Sequence, residues 1–232
     1  MNHHLIRKFY REKDINHIEE KLMLLGNDKK IDPVEYMNVR LITTIMIFFL
    51  SLYIFNMGYI IAPALTIAYY YGYYYITIEK KIKERTKKLD REALHFFEIL
   101  TLTLESGRNL ENSLEITVFN VDSELSNEFK KTLFETKYSK TLIEALEDMK
   151  SRIPSETINN IILNITQTDV FGNSILETMY NQIDFLRDKQ ILEIKGQINK
   201  IPNKISIISV IFIVPLILLL VLGPFIIEII GG

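Results

Sequence analysis

Two stretches without a single Asp, Glu, Lys or Arg constrain this chain more than anything else in it: residues 41–78 and residues 205–227. A helix rises about 1.5 Å per residue, so about 20 apolar residues cross a hydrocarbon layer of about 30 Å. The second stretch is long enough for one crossing. The first is too long for one, and Asn56-Met57-Gly58 interrupts it, with Pro63 soon after. It predicts a transmembrane hairpin over 37–78, with arms 37–57 and 59–78. A third span is expected at 204–228, followed by a short external tail at 229–232. The first run begins after about 40 residues rich in charge, which argues against a cleaved signal peptide.

Basic residues near the span ends set the orientation. Arg7, Lys8, Arg11, Lys13, Lys21, Lys29, Lys30 and Arg40 precede the first span. Lys80, Lys81, Lys83, Arg85, Lys87, Lys88 and Arg91 follow the second. The hairpin tip and the tail carry none. The positive-inside rule therefore predicts a cytoplasmic N-terminus, a cytoplasmic middle region and an external C-terminus. The arm, 1–36, holds Ile15, Ile18, Leu22 and Leu25 at helical spacing before Gly26-Asn27-Asp28. It predicts a short amphipathic helix that packs on the domain or lies on the lipid surface. Six tyrosines between Tyr69 and Tyr75 read as an aromatic belt at the membrane interface.

The middle region, 79–203, contains one pattern three times. The copies begin at Gly107, Ser139 and Gly172, spaced 32 and 33 residues apart. Each has the chemistry of one helix stopping and another starting. Gly107 and Gly172 suit a positive φ just past a helix end. Asn109, Thr141 and Ser174 suit the cap of the next helix. Thr141 with Glu144, and Ser174 with Glu177, have the spacing of capping boxes. A period near 33 marks a repeated helix-turn-helix unit. Apolar stripes predict six helices between Leu89 and Leu186, joined by short connections. The expected fold is all-α: three transmembrane helices and a cytoplasmic six-helix antiparallel bundle built as two three-helix halves. The sixth helix has no strong breaker before Pro202, so it can run from Ser174 to Ile201 and feed the last span directly, with Pro202 kinking or restarting the helix where the chain enters the membrane; a continuous or kinked helix is the expected stiff link.

Sites of chemistry are few. His3, His4 and His17 lie in the arm, and His95 reads as a partly exposed helix residue. No phosphate-binding Gly-x-x-x-x-Gly-Lys loop and no Gly-x-Ser-x-Gly elbow occur. There is no cysteine, which excludes thiol nucleophiles and disulfides. A net charge of −2 gives no sign of nucleic-acid binding. Glu105, Glu111, Glu115, Asp122, Glu124 and Asp169 collect at helix ends; oxygen ligands there could hold a divalent ion, but solvated charge is the preferred reading. The spans contain no charge, which disfavours a transporter. No catalytic, cofactor-binding or metal-binding residue is assigned, and no enzymatic activity is expected.

Several segments together resemble the type II secretion system F domain. They are Leu89–Phe97 running through Glu105-Ser106-Gly107-Arg108-Asn109-Leu110, then Lys140–Leu146, then Gly172–Leu176 with Arg187. The closing Ile213-Val214-Pro215 and Leu222-Gly223-Pro224 are similar too. The subgroup most resembled is the tight-adherence (Flp-type, TadC-like) pilus platform. The resemblance covers roughly 89–228. This chain departs from it in having Ser139 where Gly is usual, and one F domain where many relatives have two. What the resemblance implies is a non-enzymatic platform in the inner (cytoplasmic) membrane, coupling a hexameric secretion ATPase to pilin or pseudopilin extraction and filament growth. It also implies pairing with a second copy or a second F-domain subunit. Exposed Arg108, Glu111 and Lys140 are the expected partner-binding residues. The alternative is a membrane-anchored helical adaptor or sensory transducer for another cytoplasmic partner.

Overall fold

The computed structural model describes residues 10–26, 31–54, 58–138, 140–171 and 174–231. Gly172, expected to take a positive φ, lies outside them, as does Ser139. The described residues are all-α, with no strand. In chain order the helices are α1 (Glu12–Met23), α2 (Pro33–Ile54), α3 (Gly58–Tyr74), a π turn (Tyr75–Glu79), α4 (Lys80–Glu105), α5 (Leu110–Asn120), α6 (Glu124–Thr136), α7 (Leu142–Lys150), α8 (Glu156–Phe171), α9 (Ile175–Ile198) and α10 (Lys200–Gly231). The chain forms two compact units, Met1–Ile183 and Asp184–Gly232.

Two of the three expected spans are shown. Among the described residues two helices are long and apolar enough to cross a membrane, α2 and the Ile205–Leu222 part of α10. The α-helical part of the other arm, α3, has 17 residues and keeps Pro63 inside it. α2 starts earlier than the apolar pattern suggested. Asp32 caps it, its carboxylate accepting from Val34 N at 2.9 Å, and Pro33 stands at the first helical position, where a missing N–H costs nothing. α2 and α3 pack together as a hairpin.

The chain does not stop where α3 does. A π turn at Tyr75–Glu79 leads straight into the 26-residue α4. Inserting a residue into the helical ladder rotates all the side chains downstream of it. Here it leaves Ile78 fully buried, while Thr77 donates to Tyr73 O at 2.6 Å and its hydroxyl meets Tyr36 Oη at 2.7 Å. Ile18 of α1 packs on Tyr36 and Ile78, with Leu22, Tyr73 and Tyr74 around them. The arm thus docks at the base of the hairpin. The tyrosine belt is accordingly only partial: Tyr73 and Tyr74 pack inward, while Tyr71 and Tyr75 stay exposed.

The six expected helices of the middle region are present as α4 to α9. Their arrangement is not two separate three-helix halves. α4 is central and packs on α5, α6 and α8, while α6 also packs on α7. Its buried residues include the whole apolar stripe, Leu89, Ala93, Phe96, Phe97, Leu100 and Leu104, together with Arg85 and Thr101. Phe129 of α6 stacks on Phe96 with ring centres 4.6 Å apart and meets Phe97 edge-on. The three repeated turns join α4 to α5, α6 to α7 and α8 to α9, so the repeating unit is a helical hairpin. The expected stiff run to Ile201 is also corrected. α9 ends at Ile198 and α10 begins at Lys200. Pro202 has no N–H to offer Ile198 O, which is a sufficient reason for a break at Asn199.

Phe129→Ala should lower stability by about 3–5 kcal/mol, as expected for an aromatic deleted from a closed core. Leu102→Ala, at an exposed site on α4, should change it by no more than about 0.5 kcal/mol. Denaturant titration of the full chain in micelles, following helicity, compares the two.

Candidate functional site

Arg85 donates hydrogen bonds to four different residues. It sits one turn into α4 and is 7% exposed. Its Nε donates to Glu124 Oε1 at 2.6 Å, and Nη2 to Glu128 Oε1 at 2.9 Å. Its Nη1 donates to two backbone carbonyls, Leu24 O and Arg152 O, each at 2.7 Å. One guanidinium therefore joins the end of the arm, α4, α6 and the loop after α7. Gly26 has φ +66°, and a Cβ there would run into the Arg85 guanidinium. The glycine is required twice, by backbone conformation and by space.

From Arg85 the ion pairs continue in alternating sign along α6. Lys88 reaches Glu124 at 2.9 Å. Arg152 lies 3.5 Å from Glu128 and 2.9 Å from Glu135. Lys140 then bridges Glu135 at 3.2 Å and Asp148 at 2.6 Å. Glu128 is 3% exposed, so its charge is tolerated only because cations surround it. Beside the ladder an open groove of about 770 Å³ runs past Gly26, Lys130, Lys131 and Phe134. Burial by itself raises the Glu124 carboxyl; hydrogen bonds from Arg85 and Lys88 outweigh it and hold it below the usual range.

The ladder ends where the repeated turns gather. Gly107 has φ +79°, as its turn demands. Asn109 caps α5, accepting from Asn112 N at 2.9 Å. Thr141 and Glu144 form the full capping box: Glu144 N donates to Thr141 Oγ1 at 3.2 Å, and Thr141 N to Glu144 Oε2 at 2.8 Å. At Ser174 one half is present and long, with Glu177 N donating to Ser174 Oγ at 3.4 Å. Thr136 donates to Glu111 at 3.3 Å, joining the end of α6 to the start of α5. Tyr180 of α9 donates to Glu105 at the end of α4. All three turns therefore lie at one end of the bundle. That end is a helix length, about 39 Å, from the point where α4 leaves the π turn.

The expected partner-binding residues stand there in different states. Arg108 is exposed. Glu111 is exposed but accepts from Thr136. Lys140 is engaged by two carboxylates, so its charge is partly spent inside the fold. The acidic residues do not converge: Glu105 accepts from Tyr180 and Glu124 faces Arg85 and Lys88, and no cluster suited to a metal occurs among the described residues. Arg85 and Glu128 were not foreseen as a site. Arg85 falls in a run of membrane-proximal basic residues, and Glu128 lies inside an ordinary helical pattern. The one available signal was position: Arg85 lies four residues before the stripe residue Leu89, on the core face of α4.

A family model for type II secretion system protein F matches residues 96–223, more than half of the chain. The chain belongs to that family. The match runs from the middle of α4 into α10. It leaves outside it the arm, the hairpin, the π turn and Arg85. Neither a curated protein nor a solved structure matches the chain. Family members belong to secretion machinery, and two helices long and apolar enough to cross a bilayer suit a membrane location.

Removing Arg85 leaves Glu128 buried without its closest partner. Arg85→Met should therefore cost about 3–5 kcal/mol, and the pair Arg85→Met with Glu128→Leu should recover a good part of it. Chemical denaturation of the full chain in micelles decides this; an unrecovered double variant would place the loss in the two carbonyl bonds instead. The Glu124 pair has a pH signature. Its folded pKa is depressed, so its contribution is complete above the unfolded value near about 4.3 and is lost as pH falls through the folded value. Glu124→Gln should flatten the acid limb of a stability-against-pH curve below about pH 4.5 and lower the plateau above it.

Proposed function

We propose that the chain is an inner-membrane platform protein of a type II secretion or type IV (Tad/Flp-like) pilus assembly machine. It couples a cytoplasmic secretion ATPase to the extraction of pilin or pseudopilin subunits and has no turnover of its own. The observation that carries this reading is the family match over 96–223, joined to three repeated turns gathered at one end of the bundle. A partner docked on that end is linked to the base of the hairpin in two ways. One is α4, continuous with α3 through the π turn. The other is the ion-pair ladder that ends on Arg85 and the arm.

In this reading α3 with its π turn completes a membrane hairpin. The π turn ends the α-helical count at Tyr74, but residues 58–78 are 21 uncharged residues in an unbroken helical run. Charge parity supports this. Both sides of the hairpin carry clustered Lys and Arg, and one crossing between them would place half of that charge outside. The N-terminus is then cytoplasmic and the C-terminus external. A second copy or a second F-domain subunit pairs with it to complete the platform.

The test is binding of the full chain to a purified secretion ATPase, run with a filament assay. Arg108→Glu with Glu111→Lys should weaken binding about tenfold or more while leaving the melting temperature within a few degrees, because both side chains are exposed. Lys140→Glu is a poorer probe, since it sets a third acid beside Glu135 and Asp148 and should destabilise as well. Tyr75→Gly with Ile76→Gly softens the helix at two exposed π-turn positions by about 1 kcal/mol each. It should reduce filaments while sparing ATPase binding, and the corresponding alanine pair should not. An intact fold with no affinity for any secretion ATPase would favour the adaptor reading.

A further inference from the structure

Arg40 is the last charge before the 38 uncharged residues of the hairpin run. Its guanidinium carbon lies over the Tyr70 ring, 3.6 Å from the centroid, with the Tyr74 ring centroid at 5.4 Å. Its Nε is buried and has no hydrogen-bond partner. It forms none of the ion pairs found among the described residues, and Glu79, the acid at the hairpin base, is held by Lys21 and Tyr74. The neighbouring hydroxyls are committed too. Tyr36 bonds Thr77 at 2.7 Å, and Tyr10 donates to Asn38 at 3.1 Å. A cation is thus stacked and oriented by aromatic rings, with its planar edge left without an anion.

We propose that Arg40, held by Tyr70 and Tyr74, binds the phosphate diester of an anionic lipid headgroup at the cytoplasmic face of the hairpin. The inference rests on the reading that α2 and α3 cross the bilayer. With Nε enclosed and the Tyr70 ring against the guanidinium, the fork that remains is that of Nη1 and Nη2, a pair of N–H donors of the kind that takes a phosphate bidentately. Placed at the boundary of the apolar run, that edge meets the headgroup layer, where the anion on offer is the lipid phosphate. Tyrosines at the same level keep the ring bodies in the acyl boundary. Inorganic phosphate shares the chemistry but lacks the acyl chains that would hold it beside the exposed apolar faces of α2 and α3.

The probe is lipid retention by the full chain, purified from discs of phosphatidylcholine containing a minority of phosphatidylglycerol and read by native mass spectrometry. The wild type should retain phosphatidylglycerol over phosphatidylcholine. Arg40→Gln should reduce that preference about tenfold, Arg40→Lys and Tyr70→Leu less, and Lys87→Gln, the same charge change at an exposed site on α4, not at all. Equal loss in Lys87→Gln would reduce the effect to general basicity and overturn the site. Displacement of the lipid by inorganic phosphate would make it a site for the free anion and overturn the lipid assignment. The chain has no cysteine, so Tyr53→Cys can report separately on the hairpin. Labelling by an impermeant thiol reagent from outside, together with no lipid preference, overturns this inference and leaves the platform reading standing. No labelling from outside removes the hairpin and this site together, while the ATPase binding assay still judges the platform.

Discussion

One buried guanidinium ties the N-terminal arm to the helical domain. Arg85 joins four pieces of chain: the end of the arm, α4, α6 and the loop after α7. Two of its acceptors are carboxylates and two are backbone carbonyls. A lysine could not replace it, because a single ammonium cannot point donors along the divergent directions of a planar fork. The cost of desolvating the charge makes the arrangement intolerant. Any change that leaves Glu128 alone, or puts a Cβ at Gly26, acts on all four pieces at once.

The same residue lies a turn beyond the π turn. These are two solutions to one problem. A helix running from an apolar hairpin into a closed core has to turn its side chains toward new neighbours. The π turn does so by rotating the register without ending the helix, so that Ile78 faces α1 and Tyr36. Arg85 then fastens the first turns of α4. The result is one helical run from Gly58 to Glu105, a rigid connection on the N-terminal side of the domain. Sequence reasoning placed the rigid connection on the C-terminal side, where a break at Asn199 interrupts it.

Much of the fold was legible. The stripe from Leu89 to Leu104 is buried as its 3.6-residue spacing required, and Phe129 and Leu133 follow the same rule. Gly107, Asn109, Thr141 and Glu144 act as predicted because caps and tight turns are settled within four or five residues of chain. The candidate site was less legible. Arg108 and Lys140 look alike in sequence, yet Lys140 is held by Glu135 and Asp148, carried in from either side of its turn.

Sequence alone determined the quantities that depend on local chemistry: where charge is absent, where helices start and stop, which face of each is apolar, and the period of 33 that repeats the hairpin. Tertiary structure decided what depends on residues far apart in the chain. It chose α4 as the central helix, brought the three turns to one end, and gave Arg85 partners 39 and 43 residues away in Glu124 and Glu128. The physical reason is range. Capping and periodicity act over a turn or two, whereas a buried charge finds its partners only after the core has closed around it and fixed which elements stand side by side.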